Sequence, residues 1–379
     1  MDRLEKLSAA GTSIWLDYID RTMLRDGGLA RRIREDSLVG MTSNPTIFDK
    51  ALAEGDAYDE QIADSPRDLT TWQLFELIET DDVRAACDLF ADVYRRTRGG
   101  DGYVSIEVSP GVANDAAATI AEAHRLWSTV DRPNLMVKVP GTAEGARAIR
   151  RLIADGINVN VTLLFAVDAH RRVIEAYLAG LEERVSAGTP IDSIRSVASF
   201  FVSRVDTEVD KRIDARIAAG SAGDRARLDA LRGRSAIANA RLAYQLFQSK
   251  FSGPQWDPLA ARGAHVQRPL WASTSTKNPA YRDVMYVEEL IGPDTVNTMP
   301  PATIEAFRDH GNVARTVDRD VAGAEEAIAD LAEAGIAIAD VTDTLLVEGV
   351  ASFQKSFDSL IAGLERKARA LGRELARTR

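Results

Sequence analysis

Eight short apolar or alternating runs, each separated from the next by helix-like sequence, predict an α/β fold of the (β/α)8, or TIM-barrel, type. Two further observations agree with it. Polar residues fall in one phase on several runs, as expected when one strand face lines a barrel interior and the other meets helices. The chain has 379 residues, 45% of them hydrophobic, enough to bury a core of that size. Residues 1–379 are expected to form a single domain.

The first run, 13–18 (SIWLDY), alternates Ile14 and Leu16 with Trp15 and Asp17. The second, 38–44 (LVGMTSN), ends at Asn44-Pro45, which predicts a helix N-cap followed by proline at the first helical position. A helix over 69–97 leads to the third run, 103–108 (YVSIEV), where Val104, Ile106 and Val108 oppose Ser105 and Glu107. After a helix over 111–128 comes 134–139, with Leu135, Val137 and Val139 on one face and Met136 and Lys138 on the other. The next helix, 143–154, closes at Asp155-Gly156 and leads to 157–163 (INVNVTL), where Asn158, Asn160 and Thr162 share a face.

A helix over 167–187 precedes the sixth run, 195–202 (RSVASFFV). The helical pattern that follows, 206–248, is long for a barrel and is interrupted by AAGSAGD at 218–224. It predicts an extended helical segment after strand six, arranged as a hairpin. Gly253, Pro254, Pro258 and Gly263 predict a loop over 249–267. The last runs are 268–273 and 293–297. Two additional helices, 320–334 and 340–372, are expected to pack against the barrel. There is no internal repeat or low-complexity segment.

Composition removes several function classes. A net charge of -10 and a pI near 5.1 argue against a general nucleic-acid surface, so any phosphate site must be local. Cys87 is the only cysteine, which excludes an internal disulfide and a cysteine-cluster metal site; it is expected in the core. The four histidines, His124, His170, His265 and His310, show no HExxH-like pairing, and no metal is expected. RGGDG at 98–102 precedes a strand, the wrong context for a dinucleotide fingerprint. The N-terminal MDRLEKLSAAG lacks a signal design, and no apolar run approaches the roughly 20 residues that span a bilayer. The expectation is a cytoplasmic protein with neither membrane nor nucleic-acid partners, a monomer or homodimer.

Chemistry gathers around Lys138, an amine inside an otherwise apolar strand. Desolvation favours the neutral form of a buried lysine, and a neutral amine forms Schiff bases with carbonyl compounds. Barrel active sites lie at the C-terminal ends of strands, which selects Asp17, Asn44, Glu107, Lys138, Asn160 and Thr162. Each has a plain alternative. Lys138 could snorkel to solvent, Asp17 or Asn44 could cap a helix, Glu107 could form a buried ion pair with Lys138, and Asn160 and Thr162 could bond neighbouring strands. Convergence on one face is what separates the two readings.

TSNPTIF at 42–48, VSIEV at 104–108, LMVKVPGTAEG at 135–145, GINVNVTLLF at 156–165 and SFFVSR at 199–204 together resemble the transaldolase family in its longer bacterial form. The resemblance runs from about Gly11 to the final helix. It implies a cofactor-free class I barrel enzyme of the non-oxidative pentose phosphate pathway. Such enzymes move a dihydroxyacetone unit between phosphorylated sugars, from sedoheptulose 7-phosphate to glyceraldehyde 3-phosphate. It further implies Lys138 as the Schiff-base nucleophile, Asp17 as the proton acceptor in carbon-carbon cleavage, and Glu107 with Thr162 as holders of a proton-shuttling water. Asn44, Asn160 and Ser199 would bind hydroxyls of the three-carbon unit, and Arg204 and Ser273 the phosphate. One departure stands out. Many members carry a second arginine two residues after the serine, whereas ASTSTKNP at 272–279 has Ser275 there, and Lys277 is expected to supply the charge. For Arg204 the alternative is a surface ion pair with Asp206.

Overall fold

A computed structural model describes residues 1–219 and 225–376. Its centre is a closed barrel of eight parallel strands in sequential order, with the last pairing back onto the first. They are β1 (Thr12–Asp17), β2 (Leu38–Thr42), β3 (Tyr103–Glu107), β4 (Leu135–Pro140), β5 (Val159–Leu164), β6 (Ser196–Phe201), β7 (Gln267–Ala272) and β8 (Thr295–Met299). All eight expected runs contain a strand, with ends displaced by at most two residues. Every residue of β4, β5 and β6 is buried, because helices cover one face while the other fills the barrel. Three boundaries are corrected. Ser43 and Asn44 lie beyond β2, Ile157 and Asn158 precede β5, and Pro140 belongs to β4. A proline is tolerated at a strand end, where its missing N–H disturbs the ladder least.

The principal helices are α1 (Arg3–Ala9), α2 (Pro45–Ala53), α3 (Thr71–Arg96), α4 (Ala116–Val130), α5 (Ala143–Asp155) and α6 (Val167–Ser186). They continue with α7 (Ser203–Ala218), α8 (Ser235–Lys250), α9 (Pro301–His310), α10 (Val321–Glu333) and α11 (Ile338–Ala370). The helix expected from 111 starts instead at Ala116, because Asp115 caps it by accepting from the Ala118 N–H at 3.0 Å. The loop expected over 249–267 contains a short helix, Asp257–Ala260, begun by an acidic residue and a proline that suit a first turn. α1 and α9 had no counterpart among the expected elements. Cys87 is buried in α3.

The long segment after β6 divides into α7, a short helix at Arg225–Asp229, and α8. Of the AAGSAGD interruption, residues 220–224 lie outside the described residues. Asp206 ties α7 to α8: its carboxylate accepts from the Ala236 N–H at 2.8 Å and the Tyr286 hydroxyl at 2.9 Å. That excludes the surface pair between Arg204 and Asp206.

Local chemistry also fixes the turn after β4. Thr142 Oγ1 accepts from the Gly145 N–H at 2.9 Å and donates to the Ala113 carbonyl at 2.6 Å, so α5 starts directly against the strand end. A Cβ at position 145 would lie 1.9 Å from the Pro140 carbonyl oxygen, which leaves glycine as the residue that fits. At the opposite, N-terminal end of the barrel, Asp101 accepts from Ser13 Oγ at 2.7 Å and Trp15 Nε1 at 3.2 Å, and pairs with Arg268 at 2.8 Å. α11 packs against α2, α3, α7 and β5 and so reaches the C-terminal ends of the barrel strands. Among the described residues no helix is long and apolar enough to cross a membrane.

Candidate active site

Strand register assembles the site. Parallel pairing sets Glu107 beside Lys138 and Lys138 beside Asn160, three polar side chains in one row across β3, β4 and β5. Alternation carries all three to the same side of the sheet. Lys138 is only 5% exposed, and its Nζ lies 2.9 Å from Glu107 Oε2 and donates to the Ser43 carbonyl at 2.9 Å. The ion pair expected as an alternative role for Glu107 is therefore present, inside the site itself. Burial raises the Glu107 carboxyl above its ordinary pKa, while the Lys138 charge opposes that rise.

Asn160 is held on both sides. Its Nδ2 donates to Ser105 Oγ at 3.0 Å and its Oδ1 accepts from Ser199 Oγ at 2.7 Å. Ser43 Oγ donates in turn to the Ser105 carbonyl at 2.9 Å. Buried Thr162 Oγ1 has no hydrogen-bond partner among the described residues, a free polar atom two residues along β5 from the lysine row.

These groups surround a cavity of about 310 Å3 at the C-terminal ends of the strands. Asp17, Asn44, Lys138, Thr162, Ser199, Arg204, Ser273 and Lys277 all line it, whereas Glu107 and Asn160 lie in the layer behind. Asp17 accepts from Thr42 Oγ1 at 2.7 Å. Loss of water in the pocket raises its pKa, opposed by Lys138, the Thr42 hydrogen bond, Arg204 and Lys277. Asn44 does two things: its Oδ1 accepts from the Ile47 N–H at 3.0 Å, capping α2, and it still faces the cavity.

Arg204, at the start of α7, has no carboxylate partner among the described residues; its guanidinium stands 5.3 Å from the centroid of Phe201. Burial lowers its pKa, with Asp17 opposing. Ser273 has a left-handed backbone (φ 56) and its Oγ lies 2.9 Å from that of Ser203, which fixes the start of the following loop. Lys277 reaches the same cavity and donates to Ser275 Oγ at 2.9 Å. Burial and then Arg204 lower its pKa. A larger groove of about 800 Å3 opens between α6, α8, α10 and α11, but its lining holds none of the converging residues.

An amine paired with a carboxylate, a second carboxylate across a small cavity and two cations at its mouth suit covalent chemistry on a carbonyl compound that carries an anion. Comparison with known proteins identifies the family. The chain matches Transaldolase/Fructose-6-phosphate aldolase over residues 14–364. It is 49% identical over 360 residues to a transaldolase of Parafrankia sp. (strain EAN1pec), covering 94% of this chain and 96% of the relative. It is 50% identical to a transaldolase of Thermobifida fusca (strain YX), again over 94% and 96%. To one of Frankia alni it is 48% identical, over 98% of each chain.

This chain belongs to the transaldolase family. As a transaldolase it is an enzyme, and the barrel described above is the fold its resemblance implied. Several residues around this cavity are not singled out by the sequence pattern. Ser105 was legible, since it shares the phase of Glu107 on β3. Thr42 and Ser43 lie in the TSNPTIF motif, but their partners, Asp17 and Lys138, come from other strands. Phe353 lines the cavity from α11, more than 200 positions along the chain from Lys138, and no local pattern marks it.

Proposed function

We propose that this chain transfers a dihydroxyacetone unit from sedoheptulose 7-phosphate to glyceraldehyde 3-phosphate, giving erythrose 4-phosphate and fructose 6-phosphate, through a Schiff base on Lys138. The observation that carries this reading is the buried Lys138–Glu107 pair opening onto a cavity shared with Asp17. Glu107 takes a proton from the lysine, and the neutral amine attacks the ketose carbonyl; loss of water leaves an iminium. Asp17 removes the proton from the hydroxyl on the cleaving side, the carbon-carbon bond breaks, and its electrons flow into the iminium to give an enamine. The aldose leaves, the acceptor aldehyde takes its place, and Asp17 returns the proton as the new bond forms. Hydrolysis then frees the lysine.

Thr162, with its unpaired hydroxyl, and Glu107 bind the water made and consumed in these steps. Asn44, Asn160 and Ser199 hold the hydroxyls of the three-carbon unit, keeping the enamine bound until the acceptor arrives. Arg204, Ser273 and Lys277 bind the phosphate, with Lys277 standing in for the family's second arginine. On this reading the reaction belongs to the non-oxidative pentose phosphate pathway in the cytoplasm, with residues 1–379 acting as one unit.

The test is covalent trapping. Incubation with fructose 6-phosphate and reduction by borohydride should leave a three-carbon adduct on the peptide containing Lys138; an unmodified Lys138 rejects the mechanism. In a parallel reaction without borohydride, added erythrose 4-phosphate should yield sedoheptulose 7-phosphate. Release of free dihydroxyacetone in place of transfer would favour the aldolase activity that the family description also includes.

A further inference from the structure

Lys50, on α2, lines the same cavity as Arg204 and Lys277. The three cations come from three separate elements: the helix after β2, the helix after β6 and the loop after β7. Among the described residues none of them has a carboxylate within ion-pairing distance, although acidic side chains outnumber basic ones by 57 to 47 over the whole chain. Asp17 is the one acidic residue in the cavity lining, and its oxygen already accepts from Thr42. Unpaired like charges repel, and burial, then Arg204 and to a lesser degree Lys50, hold the Lys277 pKa down, with Asp17 opposing. A surface keeps such an arrangement at a cost unless an anion shares it.

The three differ in how they are held. Arg204 is partly buried against Phe201, while Lys277 and Lys50 are both exposed; Lys277 is tethered to Ser275, whereas the Lys50 ammonium is bonded to nothing among the described residues. A sugar phosphate near neutral pH carries close to two negative charges. Arg204 and Lys277 match that charge once the anion is seated. Lys50 adds a third positive charge where an incoming phosphate first meets the protein.

We infer that Lys50 is the outer cation of the phosphate subsite and a specificity-determining residue, recruiting phosphorylated sugars in preference to unphosphorylated ones. The inference rests on the transfer reaction proposed above for its kinetic consequence, though its binding consequence stands alone. A rim charge acts chiefly on association and on its salt dependence. Lys50 should therefore act on the Michaelis constant of a phosphorylated acceptor and leave turnover nearly alone.

Lys50→Gln and Lys50→Arg are the informative variants, since the position is exposed and neither change disturbs the core. With saturating fructose 6-phosphate, Lys50→Gln should raise KM for erythrose 4-phosphate about 3- to 10-fold, keep kcat within about twofold, and flatten the decline of kcat/KM with added salt. KM for D-glyceraldehyde, which has no phosphate, should not change, and Lys50→Arg should restore the phosphorylated acceptor. An unchanged KM for erythrose 4-phosphate, or an equal rise for both acceptors, overturns the inference. Titration with inorganic phosphate reads the subsite without turnover: weaker binding to Lys50→Gln supports the assignment even if no transfer is seen, and equal binding rejects it. Absence of transfer in the wild-type protein would count against the proposed reaction alone.

Discussion

Asp17 and Lys277 face each other across the cavity with pKa values moved toward neutrality from opposite sides. Burial raises the carboxyl and lowers the amine. As a base Asp17 must be ionised, so kcat should fall on the acid side through a pH above the ordinary carboxylate range of about 4. Asp17→Asn should lower kcat by about 10²- to 10⁴-fold. A wild-type profile flat down to the ordinary range would contradict this role. In the proposed subsite Lys277 would bind phosphate only when protonated, so KM for phosphorylated sugars should rise with pH before an ordinary lysine would titrate, near 10.4. Lys277→Ala should remove that alkaline rise and lift KM at neutral pH; unchanged Michaelis constants would dismiss Lys277 from the subsite. At this scale the sequence was most readable where alternation alone decides: Asp17, Glu107, Lys138, Asn160 and Thr162 all follow from strand phase. What alternation cannot give is the partner across a loop. Ser43 meets Lys138 through its carbonyl, and any residue type would carry that oxygen.

Elements position those residues through a few tight joints. Gly145 lets α5 begin against the Pro140 carbonyl directly behind Lys138, so Gly145→Ala should displace the end of β4, lowering both thermal stability and the yield of lysine adduct. Asp206 is the corresponding joint between α7, which carries Arg204, and α8. Burial pushes its carboxyl up to about 6 from an ordinary value of 3.8. Because the folded value is the higher one, the folded state binds this proton more tightly. Its contribution to stability is complete below the unfolded pKa and is lost as pH rises through about 6. Asp206→Asn keeps an acceptor for the Ala236 N–H but does not titrate. Unfolding measured in denaturant should therefore show the wild type gaining on this variant as pH falls from 7 toward 4; parallel curves would refute the buried titration. Asp206→Ala, which leaves two buried donors unpaired, should cost about 2 to 4 kcal/mol. Periodicity located α7 and α8 as one long helical pattern but could not show this joint, because it depends on Tyr286 from a distant short helix, Met285–Glu288. Short helices such as Asp257–Ala260 escaped for a different reason: four residues are too few to display a 3.6-residue period.

The whole molecule separates its two barrel ends by task. At the N-terminal end Arg268 and Asp101 join the starts of β7, β1 and β3 among buried aromatic rings, far from the lysine row. At the other end α11 brings Phe353 over the cavity and fastens to α2 through the 2.8 Å bond from Thr46 Oγ1 to Ser356 Oγ. Order along the chain showed that a final helix exists; that it walls the active site is a consequence of barrel closure, which brings α2 and the C-terminal segment to the same rim. The two ends should respond oppositely to truncation. Arg268→Ala leaves Asp101 with two weaker donors in a partly exposed setting and should reduce unfolding free energy by about 1 to 3 kcal/mol, with kcat/KM unchanged. Phe353→Ala removes a wall of the cavity that would shield the proposed enamine from water, so it should lower transfer and raise the fraction of donor released as free dihydroxyacetone, with a smaller loss of stability than a fully enclosed phenylalanine. Both variants can be measured together, by denaturant unfolding and by the ratio of transferred to released three-carbon unit. If Arg268→Ala altered that ratio, stability and transfer would have to be coupled through the barrel; if Phe353→Ala left it alone, Phe353 would not be the wall that keeps water out.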